Sequence, residues 1–357
     1  MKVFHTQKHP LHDPQFFLVR GERRPAAEQP QRGHILLQAA RAGGHQVLEA
    51  GDLGPGPIAD VHAPEYLDYL QVAHREWSRL AGASAEVIPN VHPGRRPAHY
   101  PRSIVGRAGW HAADTASPIG PGTWEAVYAA AQVAVCAADA VLGGAREAYA
   151  LCRPPGHHAY ADMAGGFCFL NNTAIAARRL LTRHARVAVL DVDVHHGNGT
   201  QSIFYGSREV FTASLHADPQ DFYPFFWGHA HERGEGAGEG FNLNLPLPLG
   251  SGDEPWLAAG DAALERIGRF APTALVVALG LDASESDPLQ GLRITTGGFA
   301  RMAERIAALG LPTVLVQEGG YLGPQLGENL AAFLAAFEEA TKSTQGPATA
   351  SPAFRRS

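Results

Sequence analysis

Short unbroken apolar runs, most of them followed at once by ionisable residues, constrain this chain more than any other feature of its sequence. Residues 148–152 (AYALC), 186–192 (RVAVLDV), 210–215 (VFTASL), 274–279 (ALVVAL) and 313–317 (TVLVQ) lack the polar–apolar alternation of a strand with one wet face. They are too short for ordinary helices, so they predict strands buried on both faces. That environment is a parallel sheet with helices on either side.

The stretches between them read as helices. The spacing predicts helices over 31–42, 65–82, 122–142, 172–184, 200–205, 254–270, 298–309 and 324–340. Asn171 is placed to cap the fourth, and Gly143-Gly144 to stop the third. Two further strands are expected at 3–6 (VFHT) and 242–247. Residues 83–121, rich in Pro, His, Arg and Gly, are too long for a plain connection and read as a functional or interface-forming loop insertion. The expectation is an α/β catalytic domain over 1–341, then a disordered tail over 342–357.

Composition narrows the class further. A net charge of −6 carries no electrostatic footprint for nucleic acid. Cys136, Cys152 and Cys168 are three in number and lack CxxC spacing, which argues for buried thiols in a reducing compartment. No signal h-region opens the chain and no apolar run of spanning length is evident, so a cytoplasmic protein without a membrane partner is expected.

The ionisable residues fall where the strands end. Strand 148–152 runs into Arg153-Pro-Pro-Gly-His157-His158, and strand 186–192 into Asp191-Val-Asp193-Val-His195-His196. Strand 274–279 leads to Asp282, and strand 313–317 to Glu318-Gly-Gly-Tyr321. In open parallel sheets the carboxyl ends of the strands line the ligand crevice. Asp191, Asp193 and His195 alternate along an extended chain and share one face. Unpaired buried polar groups cost about 1–3 kcal/mol each, so a cation held by Asp193, His195 and Asp282 is the simplest compensation. Three protein ligands with an open fourth position suit a catalytic zinc; a metal-free Asp–His network is the rival reading. His157 and His158 suit proton transfer, and the Tyr321 phenol suits an oxyanion.

Taken together, RPPGHHA, GGFCFLNN, LDVDVHHGNGTQ, SLHADP, GLDASESDP and EGGY resemble the histone deacetylase superfamily, over about residues 1–339. The long 83–121 segment is similar to that of bacterial acetylpolyamine amidohydrolases. A ureohydrolase of the arginase type would need a DxHxD cluster, and here Gly197 stands two residues after His195.

The resemblance implies the arginase–deacetylase fold: a central, mostly parallel sheet of about eight strands, covered by helices on both faces. It implies Zn2+ on Asp193, His195 and Asp282, with Fe2+ or Co2+ compatible with the same donors. His158 would be general base and then acid, His157 held by Asp191 an electrostatic stabiliser, and Tyr321 the oxyanion donor. Phe167 and Tyr223, with Gly166, would wall a narrow channel. A structural K+ would sit near Asp191, Asp193, His195, Ser214 and Leu215, with a second near Phe204, Ser207, Val210 and Phe241. Asp114 would meet the distal ammonium of a substrate, with Asp162, Glu285, His229 and His231 as other entrance contacts.

The implied activity is zinc-dependent removal of acetyl from a small acetylated amine such as acetylputrescine, acetylcadaverine or acetylspermidine, by a homodimer joined through 83–121. An acetyl-lysine protein deacetylase, a hydrolase of another acyl amide and a non-catalytic binding protein are the alternatives.

Overall fold

The computed structural model describes residues 1–94 and 99–343. Its centre is an eight-stranded sheet in which every pairing is parallel. The strands are β1 (Lys2–His5), β4 (Gln46–Glu49), β5 (Glu147–Ala150), β6 (Val187–Asp191), β7 (Val210–Ala217), β8 (Asn242–Leu247), β9 (Ala274–Leu279) and β10 (Thr313–Gln317). A small antiparallel hairpin, β2 (Phe16–Val19) and β3 (Glu22–Pro25), stands apart. The sheet order is β4-β1-β5-β10-β9-β6-β7-β8. The four strands whose ends carry the candidate site, β5, β10, β9 and β6, are therefore the central four.

Both faces of these strands are packed, as their unbroken apolar character requires. Ala148, Val187, Val189, Val276 and Val316 point into one core with helices α3 (Pro64–Trp77), α5 (Thr123–Leu142) and α6 (Asn172–Leu181). Their alternates Tyr149, Ala188, Leu190, Val277 and Leu315 point into the other, with α1 (Pro30–Ala42), α8 (Asp253–Phe270), α9 (Thr296–Ala307) and α10 (Leu326–Ser343). The period of two splits each run between two cores, so neither face tolerates a polar residue until the strand ends.

The differences from expectation have local causes. The 83–121 segment contains a helix, α4 (Ile104–Trp110), with the Ser103 hydroxyl accepting from Val105 N at 3.3 Å. Ile104 and Ala108 anchor it in the first core, and that packing overrides a composition that reads as loop. Residues 95–98 of this segment, and 344–357 of the expected tail, lie outside the described residues. Residues 342 and 343 still belong to α10. By length and composition α5 is apolar enough to span a membrane, contrary to the sequence reading, but 72% of its apolar window is buried between sheet and neighbouring helices.

The predicted cap is present. Asn171 Oδ1 accepts from Ala174 N at 2.9 Å at the start of α6, while its amide nitrogen donates to Ala159 O (2.9 Å) and Thr200 Oγ1 (3.1 Å). One side chain thus ties α6 to the segment just beyond His157-His158. Asn171→Ala removes the cap and strands two buried acceptors, an expected loss of about 2–3 kcal/mol. Urea unfolding measures it, and a loss under about 0.5 kcal/mol would show the cap to be dispensable.

Candidate metal centre and catalytic site

The centre lies beyond the carboxyl ends of β6 and β9. Asp193, His195 and Asp282 are buried, and their ligand atoms lie within 4.8 Å of one another. His195 Nδ1 is 3.1 Å from both Asp193 Oδ1 and Asp282 Oδ2. The second oxygens are held by backbone: Asp193 Oδ2 accepts from Gly319 N (2.8 Å), and Asp282 Oδ1 from Val194 N (3.0 Å). At Gly319 even a Cβ would lie 2.0 Å from Asp282 Oδ2, so the backbone can approach the carboxylates only without a side chain.

This donor set fits a divalent cation. Burial by itself lowers the His195 pKa, yet the two carboxylates outweigh it and raise the ring to about 9. The pocket draws positive charge to the point between its three donors, and two carboxylates with one imidazole are hard-to-borderline donors suited to zinc or a similar ion. A second grouping, His157, Cys168 and Glu318, is equally compact. Its chemistry differs: burial pushes the Cys168 thiol well above its usual value. Both oxygens of Glu318 are also occupied, Oε2 accepting from Gly156 N (2.6 Å) and His157 N (2.9 Å), and Oε1 from Thr173 Oγ1 (2.6 Å).

The two histidines on the turn after β5 have opposite electrostatics. His157 Nδ1 is 2.9 Å from Asp191 Oδ2. Burial lowers its pKa, but Asp193 and Asp191 reverse that and raise it well above the ordinary value, which favours the charged form of this ring. Burial depresses His158 strongly, and the neighbouring His157 and His195 depress it further, so this ring stays neutral. The rings are 4.0 Å apart between centroids. His158 Nδ1 lies 2.6 Å from Asn198 Oδ1, while Asn198 Nδ2 donates to the Tyr160 hydroxyl at 2.9 Å. With the amide so oriented, His158 carries its proton on Nδ1 and a free lone pair on Nε2.

Tyr321 is brought in from β10, and its backbone N donates to Asp287 Oδ2 at 2.8 Å. Burial raises its phenol well above the ordinary value, so it is a donor at neutral pH. Arg32, fully buried on α1, lies 4.7 Å above its ring. The same guanidinium donates to the carbonyls of Gly320 and of Glu318, the latter at 2.6 Å. Phe167, in left-handed backbone (φ 69°), packs edge-on against Tyr321 at 5.6 Å. Tyr223 packs edge-on against His158 at 5.0 Å, so Phe167 and Tyr223 meet different side chains of the candidate site.

The remaining expected residues separate into two sets. Asp191 and Ser214 pair across β6 and β7 and border a space of about 10 Å³, with Leu215 buried beside them. The Ser214 hydroxyl is 2.8 Å from His216 Nδ1. Of the second expected cation position, Phe204 and Val210 lie in the first core and Phe241 packs at the second. Asp162, Glu285 and His231 are exposed and His229 is half-buried, with the two histidine rings stacked on each other at 5.7 Å. Asp114 lies at the site, but its carboxylate accepts from Tyr223, Gly166 and Ala116.

Sequence reasoning missed Asn198, Tyr160 and Arg32. A signal existed for Asn198, an amide two residues beyond His195-His196. Arg32 left none, because only tertiary contact turns a helix arginine towards Glu318 and Gly320. At Gly197 a Cβ would lie 2.3 Å from Asp191 Oδ2, so the aspartate of a DxHxD cluster has no room there.

The arrangement can hydrolyse an acyl group. A cation on Asp193, His195 and Asp282 would supply Lewis acidity towards a carbonyl and a water. His158 Nε2, with a free lone pair, could take a proton and return it to a leaving group. A charged His157 and the Tyr321 phenol would favour negative charge developing beside them. Asn198→Ala should lower kcat by about 10² through loss of His158 orientation. Bound-metal content by elemental analysis should be unchanged, and an undiminished kcat would remove Asn198 from the catalytic apparatus.

Comparison with known proteins agrees with this geometry. The histone deacetylase domain matches residues 26–337. Acetylpolyamine amidohydrolase 1 of Pseudomonas aeruginosa is 46% identical over 347 residues, covering 96% of this chain and 100% of its own. Acetylpolyamine amidohydrolase of Burkholderia pseudomallei is 48% identical over 338 residues, covering 94% and 98%. The crystal structure of acetylpolyamine aminohydrolase from Burkholderia pseudomallei superposes with a TM-score of 0.92 at 46% identity, over 95% of this chain and 99% of that one. The chain belongs to the histone deacetylase family.

Proposed function

We propose that this protein is a zinc-dependent amidohydrolase that removes the acetyl group from acetylated polyamines or diamines. The observation that carries the reading is the meeting, at the ends of four adjacent strands, of the Asp193/His195/Asp282 donor set with the His157–Asp191 pair, the His158–Asn198 pair and Tyr321. The names of the full-length relatives support the choice of acetylated polyamine as substrate.

The roles follow from the geometry. His158 is the general base and then the general acid, oriented by Asn198. His157, held by Asp191, stabilises negative charge, and Tyr321 donates to the carbonyl oxygen. Phe167, Gly166 and Tyr223 line the path of the substrate. Zinc on Asp193, His195 and Asp282 is the resident ion, and a structural K+ occupies the space beside Asp191, Ser214 and Leu215. The catalytic domain spans 1–341 of a cytoplasmic homodimer, with the 83–121 segment at the interface and the active-site rim. Exposed apolar side chains in that segment, Val91 and Tyr100, support this last assignment.

The test is a rate comparison on the zinc-loaded enzyme with acetylputrescine, acetylcadaverine, acetylspermidine and an acetyl-lysine peptide. A preference of about tenfold or more in kcat/KM for the small amines, roughly 1.4 kcal/mol, is expected. Preference for the peptide would make it a protein deacetylase, and turnover of none would redirect the search to other acyl amides. Tyr321→Phe should cut kcat by about 10² or more with zinc content intact; a near-normal rate would remove Tyr321 from the mechanism.

A further inference from the structure

A single oxygen of Asp114 joins two walls of the site. Asp114 Oδ2 accepts from the Tyr223 hydroxyl at 2.6 Å and from Gly166 N at 3.0 Å, while Oδ1 accepts from Ala116 N at 2.8 Å. Both walls touch the same ring. Tyr223 stands edge-on to His158 at 5.0 Å and 88°. Gly166 lies so close that a Cβ there would fall 2.4 Å from His158 Cδ2 and 2.9 Å from the Tyr223 hydroxyl. Asp114 is itself fixed from behind: Ala112 bridges Ala164, Ala113 N donates to Ala164 O at 2.7 Å, and Ala164 N donates to His111 O at 2.9 Å.

The geometry points to Asp114 as a positioning residue for catalysis: it clamps Tyr223 and Gly166 against the His158 imidazole and so makes the 83–121 segment part of the proton-transfer apparatus. This rests on the reading of His158 as the proton carrier. A carboxylate reserved for a substrate ammonium would leave its oxygens open to the channel. Here three donors from the protein already converge on them. Misplacement of a reacting group by about 1 Å costs up to 10² in rate, so a lost clamp registers in kcat.

The test separates clamping from charge recognition. Asp114→Ala, Asp114→Asn, Tyr223→Phe and the Asp114→Ala/Tyr223→Phe double variant are assayed as zinc-loaded enzymes. The substrates are acetylputrescine and the uncharged N-acetylbutylamine, which lacks the distal ammonium. A clamp predicts a fall in kcat of about tenfold or more for Asp114→Ala, alike on both substrates and with little change in KM. Asp114→Asn, which keeps an acceptor oxygen, should recover part of it. The double variant should be no worse than Asp114→Ala, since both changes break one linkage. A loss confined to KM for the charged substrate, or multiplicative losses in the double variant, would overturn the proposal.

A second readout does not need turnover. In the metal-free protein the His158 Nδ1–H bonded to Asn198 should give a low-field imidazole proton signal by NMR, assigned by its disappearance in His158→Ala. Broadening or faster exchange of that proton in Asp114→Ala supports the clamp, and an unchanged signal overturns it. If the parent enzyme turned over neither substrate, the proposed function would fall while the imidazole signal still decided the clamp.

Discussion

The Glu318 carboxylate, at the end of the central strand β10, is the contact on which the site depends. It is wholly buried, and burial raises its pKa to about 7 against the pull of His157. Its two oxygens accept from Gly156 N, His157 N and Thr173 Oγ1, so they hold the turn that follows β5 and the start of α6 together. The next residue, Gly319, donates to Asp193, and two residues further on Tyr321 enters the site. One strand end thereby references the histidine turn, the Asp193/His195/Asp282 donor set and Tyr321 to a common backbone. A buried carboxylate without such partners would be costly, and three convergent donors are what make it tenable.

Behind this contact lies a ring of buried charge. Arg32 Nη1 donates to Glu28 Oε1 at 2.7 Å, and Arg153 Nη2 to Glu28 Oε2 at 2.9 Å. Arg32 also holds the Glu318 carbonyl, and Arg153 the carbonyls of His9 (2.6 Å) and His12 (2.8 Å). Pairing of this kind is weak evidence for net stability. Its consequence here is geometric, because planar guanidinium groups fix the directions of the carbonyls they bind. The amino-terminal segment, helix α1 and the turn carrying His157 are locked as a unit, with Tyr321 resting under Arg32.

Electrostatics then divides the labour between neighbouring rings. His157 faces Asp191 and Asp193, which favour its charged form, whereas His158 faces an amide and two histidines, and its burial favours the neutral form. The same residue type favours its charged form in one position and its neutral form in the next, and the difference lies in the partners. Asn198 in place of a carboxylate orients His158 without raising its proton affinity through a full charge. The 83–121 segment enters this arrangement through Asp114, which the sequence reading had assigned to the substrate and the structure shows bound to Tyr223 and Gly166.

Seven of the eight sheet strands, their parallel packing and the gathering of ionisable residues at their ends were legible in the sequence, whereas β4 and the β2–β3 hairpin, short and partly polar, were not. Unbroken apolar runs can be satisfied only between two helical layers, and polar residues become tolerable only where such a strand leaves the sheet. Asp191, Asp193 and His195 announced themselves by a period of two, and the Asn171 cap by its position before an apolar helix. The sheet order that makes β5, β10, β9 and β6 neighbours was decided by tertiary structure, as were the turning of Arg32 onto Glu318 and the partners of His158 and Asp114. These contacts join residues 40 to nearly 300 positions apart. Local pattern encodes which face of an element is apolar. It does not encode which distant hydrogen-bond donor completes a buried polar group, because that depends on how all the elements pack at once.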